Sequence, residues 1–87
     1  MSTSPPSVVL VVWEDIKTSG VEAWVENKDE PYAPHLVYQV GYLLRDEPEF
    51  VRLTQAWHPD LIAPTDTIPR GCIRSMTVLK TPKLRKR

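Results

Sequence analysis

The chain is poor in glycine and cysteine, with three of the first and one of the second among 87 residues. Glycines scattered at positions 20, 41 and 71 cannot build a G-x-x-x-x-G-K-[ST] or G-x-G-x-x-G loop, which excludes the usual nucleotide-dependent enzymes. The lone Cys72 excludes an internal disulfide and leaves no thiol cluster for structural zinc, so the expected setting is reducing and cytosolic. No apolar run approaches the roughly 18 residues of a membrane span. Residues 1–7, polar and carrying Pro5-Pro6, lack the charged-then-apolar order of a signal peptide. The chain is therefore expected in the cytoplasm, with no membrane partner.

Proline, by contrast, is abundant. Nine prolines interrupt helix interiors at roughly 3 kcal/mol each and are excluded from central strands, so long helices are nearly ruled out. The hydrophobic fraction of 41% and charged fraction of 25% are those of a globular domain. A chain of this length makes one small domain.

The net charge of +0 hides an asymmetry. Residues 80–87 carry five of the eleven basic residues and no acid, leaving six basic against eleven acidic residues in 1–79. The body is about −5 and the tail +5. An acidic body does not suit gripping a phosphate backbone, whereas Lys80, Lys83, Arg85, Lys86 and Arg87 suit a weak, salt-dependent contact with nucleic acid. No stacking aromatics are interleaved with these cations, so base readout is not implied.

Along the chain, residues 1–7 read as a disordered leader, 8–79 as a single β domain and 80–87 as a flexible basic tail. Val8-Val-Leu-Val-Val-Trp13 is rich in β-branched residues and too short for a typical helix, which predicts a first strand. Residues 14–34 read as a long loop around the apolar island Val21, Ala23, Trp24 and Val25, with room for one helical turn. In residues 36–45, Leu36, Tyr38, Val40, Tyr42 and Leu44 share one face by period two, with Gln39, Gly41 and Arg45 opposite. That spacing predicts a strand with Val40 inward, such that Val40→Asp unfolds the domain and Gln39→Asp is tolerated. Gly41 marks a bulge or bend. After the Asp46-Glu-Pro48 turn, residues 49–57 form a third strand, with a helix from Pro48 as its competitor. A loop follows, then a short edge strand near 65–68, a proline-initiated turn over 68–73 and a last strand over 73–79.

These elements describe an all-β, five-stranded barrel of the SH3-like or Sm-like sort, with a long first loop and flexible termini. The Ile68-Pro69-Arg70-Gly71-Cys72-Ile73 turn resembles the single 3₁₀ turn that SH3 domains place between their last two strands. That likeness spans about a dozen residues and implies architecture, not function. More broadly, Trp13-Glu14-Asp15, Tyr38-x-Val40-Gly41-Tyr42-Leu43-Leu44 and Ile68-Pro69-Arg70-Gly71-x-Ile73 are similar to small uncharacterised proteins of tailed phages and prophages. The likeness covers roughly residues 8–79 and implies a viral origin, action in the host cytoplasm and work by binding.

No catalytic constellation is visible among His35, His58, Cys72, Asp15, Asp60 and Asp66. Nucleophilic catalysis needs an oriented base beside its nucleophile, and metal hydrolysis needs three converging ligands. His58-Pro59-Asp60 reads as a solvated turn and Cys72 as a small core residue. The chain is thus expected to be no enzyme and to need no cofactor.

Tyr38, Tyr42 and Phe50 are expected in the core. Trp24 and Tyr32, in the long loop among Glu26, Asp29 and Glu30, are candidate anchors for a host protein with a basic site. A small nucleotide-like ligand is the alternative partner, held by Trp57, Arg70 and Arg74 in a homo-oligomer; nucleic acid through the tail and a structural place in a virion are the others.

Overall fold

The structure is a computed structural model that describes residues 4–16 and 33–81. Five strands form one antiparallel sheet: β1 (Val8–Asp15), β2 (His35–Asp46), β3 (Phe50–Thr54), β4 (Thr65–Pro69) and β5 (Ile73–Leu79). Their order is β4-β3-β2-β1-β5, so the valine-rich β1 lies between β2 and β5. The all-β class expected from the sequence is the class found. The third strand is shorter than expected and contains no helix, because Val51 and Leu53 alternate into the core at strand spacing. Among the described residues no helix is long and apolar enough to cross a membrane.

The connection between the outermost strands shows that the sheet curls. In a flat sheet the outermost strands β4 and β5 would stand about 19 Å apart. Yet only Arg70–Cys72, one 3₁₀ turn (η1), separates Pro69 from Ile73, a span of about 8 Å. The sheet must therefore curl enough to bring the ends of β4 and β5 near each other here. The turn has the expected construction: Pro69 enters at φ −59°, and the N–H of Ile73 donates back to the Arg70 carbonyl. The strands and turn of the expected barrel are thus present, while no ladder joins β4 to β5 among the described residues.

The concave face holds the core, made of Val9 and Val11 from β1, Val51 and Leu53 from β3 and Ile68 from β4. Trp13, Leu43, Ile73 and Met76 pack around it. Each such side chain contributes about 1.5–3 kcal/mol when fully buried.

The strand phase of β2 reverses the expectation. Val9 pairs with Gly41 and Val11 with Gln39, so it is Gln39 and Gly41 that face inward with the valines. Val40 is 54% exposed and Tyr38 68% exposed, so Tyr38 does not belong to the core as expected; Tyr42 and Phe50, expected there too, are half-buried and outside the core cluster. Two contacts explain the choice. A Cβ at Gly41 would lie 2.9 Å from the Thr54 carbonyl oxygen, closer than side chains approach, so this inward position admits only glycine. Gln39, half-buried, finds partners on this face: its Oε1 accepts the Trp13 indole N–H at 3.1 Å, and its Nε2 donates to the exposed Asp66 at 2.8 Å. The bulge comes two residues after Gly41, where the β2–β3 register shifts between Leu43 and Arg45.

Candidate interaction surface

With Gln39 and Gly41 turned inward, the apolar residues of even number on β2 are turned out. Cross-strand neighbours in an antiparallel ladder share a face. The convex side of the sheet is therefore a ladder of Leu10 against Val40, Val12 against Tyr38 and Val8 against Tyr42, with Leu36 beyond, beside Glu14. Thr77 and Ser75 of β5 pair with Leu10 and Val12 and give the ladder a hydroxyl margin. β1 carries apolar side chains on both faces, as a strand covered on both sides does. Here only the concave side is covered by described residues.

A second apolar feature lies at the far end of β3. Trp57 and Ile62 form an isolated bridge that closes a small loop. Thr54 fastens the base of the loop: its buried hydroxyl stands 3.0 Å from the Ala56 carbonyl oxygen and 3.1 Å from that of Pro64. At the tip, His58 Nδ1 accepts the backbone N–H of Asp60 at 3.0 Å, which makes His58-Pro59-Asp60 a local turn. Leu61 and Ile62 project outward, Ile62 being 88% exposed. Between this loop and Leu44 lies an open cavity of about 450 Å³ lined mostly by apolar atoms, with Trp57 on its wall.

The arginines of the ligand alternative are elsewhere. Arg70 pairs with the Asp46 carboxylate and donates to the Glu47 carbonyl at 2.6 Å, bracing η1 against the β2–β3 turn. Arg74 pairs with Glu14 and donates to the Gly71 carbonyl at 3.2 Å. Both arginines stand near η1, whereas Trp57 follows the opposite end of β3. Trp57, Arg70 and Arg74 thus do not converge on one site.

The other predicted site residues are placed as follows. Trp24, Tyr32, Glu26, Asp29 and Glu30 lie outside the described residues, as do Lys83, Arg85, Lys86, Arg87 and the helical turn expected around residues 21–25. Lys80 is exposed just after β5. His35 starts β2, Cys72 is half-buried in η1, and Asp66 is engaged by Gln39. No group of three or more His, Cys, Asp or Glu among the described residues is placed to hold a metal ion. The convex ladder was missed by sequence reasoning, although Gly41 within an otherwise bulky strand was a signal for it.

Comparison with family models, with curated proteins and with solved structures finds no significant match to this chain.

Proposed function

We propose that this chain is a non-catalytic binding protein that works by covering a surface of another protein, using the convex face of β1 and β2. The observation that carries this reading is the outward ladder in which Tyr38 and Val40 stay more than half exposed on the central strands of the sheet. Contiguous exposed apolar side chains rimmed by polar ones mark interaction sites, and tyrosine is among the side chains most enriched at binding hot spots. The likeness to small phage proteins makes the partner a host protein, which the chain blocks or sequesters in the host cytoplasm.

A second reading is favoured by one observation, the cavity beside Trp57. Its volume of about 450 Å³ suits a small, largely apolar planar ligand. The anionic version of that ligand has less support, because Arg70 and Arg74 are engaged by Asp46 and Glu14.

The test is affinity capture from host lysate with four forms of the full chain: wild type, Tyr38→Glu/Val40→Glu, Trp57→Ala and a truncation after Leu79. Each form is first checked for an unchanged fold by circular dichroism. A stoichiometric protein retained by wild type and Trp57→Ala but lost by the double variant is the expected result. Loss on Trp57→Ala alone moves the site to the loop cavity. Recovery of nucleic acid that disappears on truncation replaces the reading with contact through the basic tail.

A further inference from the structure

Exposed strand edges carry unpaired backbone N–H and C=O groups that template pairing with another strand, and proteins blunt them with charge, proline or short length. The two edges of this sheet are treated differently. β4 has five residues, with Asp66 within it and Pro69 at its end. β5 has seven, and residues 75–79 (Ser-Met-Thr-Val-Leu) carry neither charge nor proline. Its inner edge pairs with β1, and no strand pairs with its outer edge among the described residues. Alternate residues along that outer edge direct both backbone groups away from the sheet.

From this asymmetry we infer that β5 pairs antiparallel with β5 of a second copy of this chain, about a two-fold axis at Thr77, making one ten-stranded sheet from two subunits. The occupant is fixed by what the edge demands. An extended strand replaces edge water with a continuous ladder, and a second copy offers one of the same length whose outer edge is likewise unpaired among the described residues.

The register is self-complementary. Thr77 meets Thr77 of the other copy, a favourable cross-strand pair. On the concave side Met76 meets Val78 of the other copy, covering a valine that is 64% exposed in the single chain although its neighbour Val9 is fully buried. On the convex side Ser75 meets Leu79 of the other copy. No charge falls within residues 75–79; just beyond them the register sets Arg74 opposite Lys80 of the other copy, a like-charge pair that the Glu14 carboxylate held by Arg74 offsets.

The blunted β4 edge stops further growth, so the association closes at two copies rather than running into a filament. Pairing of one strand buries less than the roughly 1,200 Å² of a stable interface, so the dimer is transient and concentration-dependent. It sets the two convex ladders on one continuous sheet.

The experiment is sedimentation equilibrium of the full chain from about one to several hundred micromolar, the range of a transient interface. Wild type, Val78→Lys and Tyr38→Glu/Val40→Glu are compared. The expected result is a mass that rises with concentration from one 10.0 kDa chain towards twofold for wild type and the double variant. Val78→Lys is expected to stay at the single-chain mass with an unchanged melting temperature, since position 78 is already exposed. In a Cys72→Ser background, Thr77→Cys is expected to form a disulfide-linked dimer on mild oxidation.

A wild-type mass that never leaves the single chain overturns the proposal. So does a dimer that survives Val78→Lys and is lost in the double variant, which moves the contact to the convex face. A mass that climbs past two copies rejects the two-fold closure. Failure of the dimer leaves the host-protein reading untouched, because capture through Tyr38 and Val40 is read separately.

Discussion

Trp13 on β1 and Asp66 on β4 are joined through one amide. The Trp13 indole N–H donates to Gln39 Oε1 at 3.1 Å, and Gln39 Nε2 donates to Asp66 Oδ2 at 2.8 Å. β3 separates β2 from β4 in the sheet, so this link spans the concave side across β3 and holds the curl. Gln39 is thus a structural residue, although its polarity marks it for the surface.

A direct contrast between neighbours follows. Gln39→Asp removes the donor to Asp66, sets a second carboxylate beside it and shortens the reach to Trp13. A loss of about 1–3 kcal/mol is expected. Val40→Asp, on the exposed face, should cost well under half of that. Urea unfolding of the two variants measures both. A larger loss for Val40→Asp than for Gln39→Asp would restore the strand phase that periodicity alone suggests.

That phase shows where sequence reading stops. Residues 36–44 are apolar at every even position and also at Val37 and Leu43, so a period-two count favours the even face. The odd face wins because of partners the count cannot see: the Thr54 carbonyl over Gly41, and Trp13 and Asp66 around Gln39. The η1 turn was legible because its cause is local, a proline between two isoleucines. The engagement of Arg70 and Arg74 was not, since their acidic partners lie 24 and 60 residues away. The convex ladder follows from the phase and was hidden with it.

Gly41 and Gly71 make a second contrast. An added Cβ at Gly41 meets the Thr54 carbonyl oxygen at 2.9 Å and Leu53 Cβ at 3.3 Å, and a backbone oxygen cannot swing aside as a side chain can. Gly41→Ala is therefore expected to push β3 off β2 at a cost of about 1–3 kcal/mol. In a domain of this size each kcal/mol lowers the melting temperature by about 4–8 °C. At Gly71 nothing lies within 4 Å of the added carbon, so Gly71→Ala should melt close to wild type. Equal melting temperatures for the two variants would mean that β2 and β3 do not approach so closely at this point.

Thr54 governs the loop that carries Trp57, Leu61 and Ile62. Its hydroxyl is buried and shared between the carbonyls of Ala56 and Pro64, which tie the two ends of the loop together. Thr54→Val keeps the shape and removes the hydrogen, leaving two carbonyls that must turn towards water. The expected global loss is about 1–2 kcal/mol. Because the tie is local, most of the change should appear as faster amide hydrogen exchange in residues 56–63, with protection in β1 little altered. Uniform acceleration across the sheet, with no excess in the loop, would instead make Thr54 part of the common core and leave the loop cavity to be held by the Trp57–Ile62 bridge alone.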